Sequence, residues 1–306
     1  MQQQQRKTDP AAAAGSLPGQ SWTDADEGRG VSGWARFRQH RLAVAGLAFM
    51  MLLTAAALLA PWLAPHDPYE VTAVFQGAPS ADYILGTDQI GRDVFSRLIY
   101  ASRVSLLVGI GAVAIYMAIG TLLGLLAGYF GGWVDTLIMR LVDIMMSFPA
   151  LLVILVLVSI VGPSLFNVIL VLGLLGWPAV TRIVRGSVLT IKQADYIKAG
   201  IALGLPTHRL LFRHILLNAS APILVKATFG VATAILTEAS LSFLGVGVQP
   251  PTASWGNMLT EAQSLTTLAN QYWLWVPPGL MIVLTVLSVN FIGDGIRDTL
   301  DPKSIS

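Results

Sequence analysis

The chain has 306 residues, of which 54% are hydrophobic and 12% charged, and its 19 Lys and Arg against 17 Asp and Glu leave a formal net charge of +2. That balance excludes an ordinary soluble domain and points to a protein that crosses a membrane several times. There is no cysteine, which excludes a disulfide framework and a thiolate metal site.

Residues 1–33 are polar and rich in Gln, Ala, Gly and Pro, with no apolar core, and read as a disordered tail. No apolar central region of a secretory signal occurs there, so no cleavage is expected. Arg36, Arg38 and Arg41 then precede the first apolar run, Leu42 to Ala64, and are expected to hold the N-terminus in the cytoplasm. Further spans read as about 104–129, 137–161, 165–184, 219–246 and 273–292, each near or above the ~20 residues that cross a bilayer. The expectation is an all-α membrane protein of about six helices, a permease region over residues 34–303, and both termini cytoplasmic. Charge patterning sets that orientation. The loop from Pro65 to Ser102 holds five acids, Asp67, Glu70, Asp82, Asp88 and Asp93, against Arg92 and Arg97, whereas the polar stretch from Thr181 to Asn218 holds six cations against one acid, Asp195.

Within the spans, Gly120, Gly124 and Gly128 recur every four residues and mark a helix face that another helix approaches closely. Pro149 lacks a backbone donor and predicts a kink in the third span. Arg140 and Asp143 lie three apart and are expected to pair on one face. Lys226 and Glu238 interrupt the fifth span twelve positions apart, ~18 Å along a helix, and so cannot pair with each other. Glu238 is expected to face the bundle interior or a translocation path, with structural hydrogen bonding as the plainer role. His40, His66, His208 and His214 lack a metal-ligand spacing, and Asp82, Asp88 and Asp93 do not follow the alternation of a calcium loop, so capping or structural roles are expected. The chain has no G-x-S-x-G nucleophile elbow.

The stretch from Arg185 to Asn218 is the most informative. Asp195 is placed as an N-cap, followed by Ile197, Ile201, Ala202 and Leu205 at helical spacing, with Pro206 ending the pattern. From Asp195 to Asn218 it resembles the cytoplasmic coupling loop of ATP-binding-cassette importer permeases, whose pattern is Glu-Ala-Ala, three residues, Gly, nine residues, then Ile-x-Leu-Pro. Lys198, Ala199 and Gly200 occupy the Glu-Ala-Ala positions and Gly204 the motif glycine. Lys198 reverses a charge, and Leu217 stands where the motif has proline.

LGTDQIGRDVFSRLIYASRVSL (85–106), RLVDIMMSFPALL (140–152) and EASLSFLGVGVQPPTASWGNML (238–259) resemble stretches of the permease subunits of dipeptide, oligopeptide and nickel importers. The resemblance covers nearly all of residues 34–303. It implies a type I importer permease bundle in the bacterial inner membrane. The implied partners are a homologous second permease, two cytoplasmic ATP-binding subunits, an extracytoplasmic substrate-binding protein and membrane lipid, with no nucleic acid.

The chain carries no G-x-x-x-x-G-K-[ST] phosphate loop, so it is expected to be non-catalytic, to bind no cofactor, and to leave ATP to the partner subunits. Asp195, Ile197, Lys198, Ala199, Gly200, Ile201, Gly204, Leu205, Arg209 and Arg213 are then the candidate ATPase-coupling residues, with Ile197, Ile201 and Leu205 as apolar anchors. Glu238, Asp143, Arg140 and the three glycines are candidates for the translocation path or for packing. Other readings stay open: a self-contained secondary transporter or channel, a membrane scaffold, and, within the family, nickel or another small solute in place of di- or oligopeptides.

Overall fold

The structure, a computed structural model, describes residues 37–300. The expected tail over residues 1–33 and the last expected permease residues, 301–303, lie outside the described residues.

The described residues are mostly helical, with no β-strand among them beyond one isolated bridge between Thr87 and Asp93. We number the principal helices α1 (Arg41–Leu58), α2 (Val94–Phe130), α3 (Gly132–Met146), α4 (Ala150–Val161), α5 (Leu165–Leu175), α6 (Trp177–Lys192), α7 (Asp195–Ala202), α8 (Ser220–Phe243) and α9 (Tyr272–Leu300). Five helical stretches are long and apolar enough to cross a membrane, with α5 and α6 together forming one of them, and a sixth results if α3 and α4 count as one broken span.

Helix α2 organises the bundle. Asp93 starts it, its carboxylate accepting the Ser96 backbone N–H at 2.8 Å, which satisfies one of the orphan donors of a helix N-terminus. Its 37 residues extend ~55 Å, beginning ten residues before the expected span. Gly131, at φ +65°, ends it and turns the chain into α3.

Gly120, Gly124 and Gly128 face α6. A Cβ on Gly120 would lie 2.6 Å from Val180 Cβ, one on Gly124 2.6 Å from Val184 Cβ, and one on Gly128 2.7 Å from Val188 Cβ. The expected packing stripe is therefore real, and its partner is α6. Val180, Val184 and Val188 are fully buried there.

The expected kink is larger than a proline alone implies. Helices α3 and α4 meet at 84°. The Ser147 hydroxyl donates to the carbonyls of Asp143 and Ile144, closing α3, while Pro149 takes an extended conformation and starts α4 as its N-cap. Pro149 thus lies between two helices and not inside one.

The fourth apolar run also continues past its expected end at residue 184. Gly176 joins α5 to α6, and α6 runs to Lys192, so Arg185 belongs to a helix and not to a loop.

Candidate functional site

Between α6 and α8 the chain builds a compact elbow. Helix α7 begins with Ala194 as its N-cap, in extended conformation and without a side-chain cap. Asp195 is therefore not the N-cap; it is the first helical residue, where its charge complements the helix N-terminus. Its contact with Lys198 is 3.7 Å between exposed groups and contributes little to stability.

The C-terminus of α7 has a physical reason for the glycine at 204. The Leu205 N–H donates to the Gly200 carbonyl at 3.0 Å and the Gly204 N–H to the Ile201 carbonyl at 3.0 Å, with Gly204 at φ +74°. This is a Schellman closure, and it needs a residue at ease in the left-handed region. The turn brings Leu205 back over Gly200, where an added Cβ would lie 3.0 Å from Leu205 Cδ1.

Ile197 is 1% exposed and belongs to the same buried cluster as Val184, Val188, Leu211 and Ile215. Residues Leu210–Ile215 form a π-helical turn that leads into α8 and places Leu210, Leu211 and Ile215 inward. Of the three expected anchors, Ile201 faces out, Ile197 holds the elbow to the protein's own core, and Leu205, half-buried, folds back over Gly200 within the elbow. The outward apolar groups are Tyr196, Ile201, Leu203 and Phe212, with Leu203 83% exposed. Lys198, Ala199, Arg209 and Arg213 are exposed around them.

The elbow stands on a braced helix. Arg185 Nε donates to Asp135 Oδ1 at 2.9 Å and Nη2 reaches Oδ2 of the same carboxylate, the two-point geometry that suits Arg to a carboxylate. Arg182 Nη2 donates to Asp143 Oδ1 at 2.8 Å. Asp143 therefore pairs with α6, and the expected Arg140–Asp143 pair does not form; Arg140 is exposed. Lys192 Nζ donates to the Tyr129 carbonyl at 2.6 Å and lies 5.3 Å from that ring's centroid. Helix α6 is thus tied to α3 by two arginines and to α2 by the glycine stripe and Lys192.

Sequence reasoning missed Asp135, Tyr196, Leu203 and Phe212. Asp135 and Asp143 are eight apart, close to two helical turns, and so share a face, a signal that was present in the sequence.

Glu238 lies at the far end of α8 from the elbow and is fully buried. Its Oε1 accepts from Ser242 Oγ at 2.7 Å and from Ser254 Oγ at 2.9 Å. Ser254 also caps the short helix Trp255–Met258 in a capping box with Asn257, and the Trp255 N–H donates to Ser105 Oγ on α2 at 3.2 Å. Glu238 therefore faces the bundle interior and pins Ser254 of the following segment onto α8, while the Trp255 N–H ties the same segment to α2. Asp93 and Asp88 act likewise as turn and cap residues: Asp88 accepts from Arg92 Nε at 2.7 Å and from the backbone N–H groups of Ile90 and Arg92.

Residues 120–306 match the family model described as binding-protein-dependent transport system inner membrane component, and residues 30–82 match the N-terminal TM domain of oligopeptide transport permease C. The chain belongs to the first of these families, and it is a multi-pass inner-membrane protein. It is 44% identical to the di/tripeptide transport system permease protein DppC of Pseudomonas aeruginosa (strain UCBPP-PA14), across 88% of this chain and 91% of the relative. It is also 44% identical to the dipeptide transport system permease protein DppC of Haemophilus influenzae, across 88% and 93%. Identity to the glutathione transport system permease protein GsiD of Pectobacterium atrosepticum is 43%, across 88% and 90%.

Proposed function

We propose that this chain is one permease half of an ATP-driven importer of di- or oligopeptides, coupled to a separate ATPase through the elbow around α7. The observation that carries the coupling role is the division of the elbow into two faces. Ile197 fastens it to the bundle and Leu205 closes it over Gly200, while Tyr196, Ile201 and Leu203 present apolar surface with Lys198, Arg209 and Arg213 exposed on the same elbow. An exposed apolar patch with a polar rim has the anatomy of a protein contact. The printed names of the relatives support peptides as the substrate class.

In this reading both termini and the elbow are cytoplasmic, since short basic loops stay on that side. A homologous second permease completes the path, two ATP-binding subunits dock beneath, and a binding protein delivers substrate from the other side. The chain itself is non-catalytic. ATP-driven closure pushes α7; because α6 is braced against α2 and α3, the push moves those helices together instead of bending the loop.

The test is ATP hydrolysis by the complete complex in lipid vesicles, with and without binding protein and peptide. Leu203→Ser and Ile201→Glu are expected to lower stimulation about tenfold, the loss typical of an exposed apolar anchor, while insertion and heat stability stay unchanged. Undiminished stimulation in both variants would show that ATPase coupling runs elsewhere.

A further inference from the structure

Helix α8 carries a second polar feature that neither the coupling elbow nor the Glu238 cluster uses. Lys226, Gly230, Thr233 and Thr237 recur at i, i+4, i+7 and i+11 and therefore line one face of the helix. That face borders a cavity of about 180 Å³, lined elsewhere by Tyr116 of α2, Ile154 of α4 and the α5–α6 joint. Tyr116 leans across Gly230 so closely that a Cβ there would lie 1.8 Å from the phenol oxygen. Gly230 is what lets the hydroxyl reach the cavity.

The chemistry of the lining is directional. No carboxylate among the described residues pairs with Lys226, and the Tyr116 hydroxyl makes no hydrogen bond among them. An unpaired ammonium in a membrane span is costly unless it meets an anionic partner or a wet path, or reaches the interface from near a helix end. The Thr233 and Thr237 hydroxyls donate to the carbonyls of Phe229 and Thr233, which leaves their oxygen lone pairs as acceptors. Two donors at one end and two acceptors further along match a peptide C-terminus: a carboxylate, followed by backbone N–H groups. Lys226 also borders a second groove of about 400 Å³ with Phe229 and Arg297, so it stands at a junction between the cavity and the end of α8 nearer the elbow.

We propose that Lys226 and Tyr116 form a subsite for the C-terminal carboxylate of a peptide in transit, with Thr233 and Thr237 receiving its backbone N–H groups. This rests on the peptide-import reading and adds a specificity-determining residue to it.

The experiment measures uptake into vesicles of zwitterionic phospholipid by the complete complex, using trialanine and its C-terminal amide, each scaled to the amount held by the binding protein. The native chain is expected to import the amide about tenfold more slowly per bound peptide, the scale of one lost charged hydrogen bond. Lys226→Met should bring trialanine down to the amide's rate and leave the amide unaffected, while Lys226→Arg keeps the preference. Equal slowing of both peptides by Lys226→Met would mark a structural lysine and overturn the subsite. So would equal import of both peptides by the native chain with a silent Lys226→Met, and the import reading would then stand. If the native complex hydrolyses ATP but imports neither peptide, the import reading falls and the subsite with it.

Discussion

Arg185 and Asp135 stand 50 positions apart in the sequence and meet through two contacts, Nε to Oδ1 at 2.9 Å and Nη2 to Oδ2, with the Asp135 side chain 19% exposed and that of Arg185 33%. The pair locks α6, which carries the elbow, to α3. Arg185→Lys keeps the charge but loses the planar fork. It is expected to cost about 1 kcal/mol, at the upper end of exposed ion pairs, and to loosen coupling between α6 and α3. Asp135→Arg combined with Arg185→Asp should recover part of the loss. A double-mutant cycle on thermal unfolding in detergent measures the coupling, and purely additive changes would mean the pair is not holding the helices.

Gly124 tests the close approach of α2 and α6. A Cβ at that position would lie 2.6 Å from Val184 Cβ and 2.8 Å from the Thr181 carbonyl oxygen, which is backbone. Gly124→Ala is therefore expected to force the helices apart at a cost of about 1–3 kcal/mol. Val184→Ala in the same chain should restore only part of that, because the carbonyl cannot be trimmed. Full rescue would show that the valine alone sets the spacing.

Much of this was legible in the sequence. A period of four in glycine needs only helical geometry to become a packing face, and the run of cations from Arg182 to Arg213 marked the elbow before any contact was seen. The inward turn of Ile197 and Leu205 was not legible. Positions 197, 201 and 205 read as one stripe, but the Schellman turn at Gly204 folds Leu205 back onto Gly200, and the π-helical turn supplies the buried seat for Ile197. Long-range pairs such as Arg185–Asp135 leave no local period to detect. Pro149 signalled a break but not its size, since 84° reflects both the Ser147 closure of α3 and the new start at Pro149.

Gly204 and Ile197 separate the two faces of the elbow. Gly204→Ala puts a Cβ into the left-handed region at φ +74°, with no atom within 4 Å to clash, so the expected cost is the conformational ~1–2 kcal/mol alone. Gly204→Asn should be milder, because asparagine tolerates that region. Ile197→Ala empties a buried site and is expected to cost about 2–5 kcal/mol. Gly204→Ala and Ile197→Ala should both lower the unfolding temperature in detergent, in contrast to Leu203→Ser. If Ile197→Ala left stability intact while abolishing ATPase stimulation, the residue would be a docking anchor after all.

Glu238→Ala removes the acceptor for the Ser242 and Ser254 hydroxyls in a site closed to water. Losing both bonds and leaving the donors unpaired is expected to cost about 1–3 kcal/mol. The loss should appear as faster proteolysis within residues 245–271, the segment these bonds pin to α8. An unchanged digestion pattern would assign that segment's hold to Trp255 instead.

Glu261 gives the pH dependence a sign. It sits outside the spans, in the turn Leu259–Gln263, and borders a cavity of about 240 Å³ with Asp88, Arg92 and Arg97. Burial first, and Asp88 second, push its carboxyl above the usual carboxylate range, against the pull of Arg92, Arg97 and the Gln89 amide. Its Oε2 is buried without a partner. The folded protein therefore holds this proton to higher pH than the unfolded chain does, so the contribution of Glu261 to stability falls as pH rises from the unfolded carboxylate's range through the folded one. The native chain should gain heat stability on mild acidification, and Glu261→Gln should flatten that slope and stabilise the protein at neutral pH. Unfolding temperatures at pH 5 and 7.5 for the two proteins decide it; parallel slopes would assign the titration to other groups.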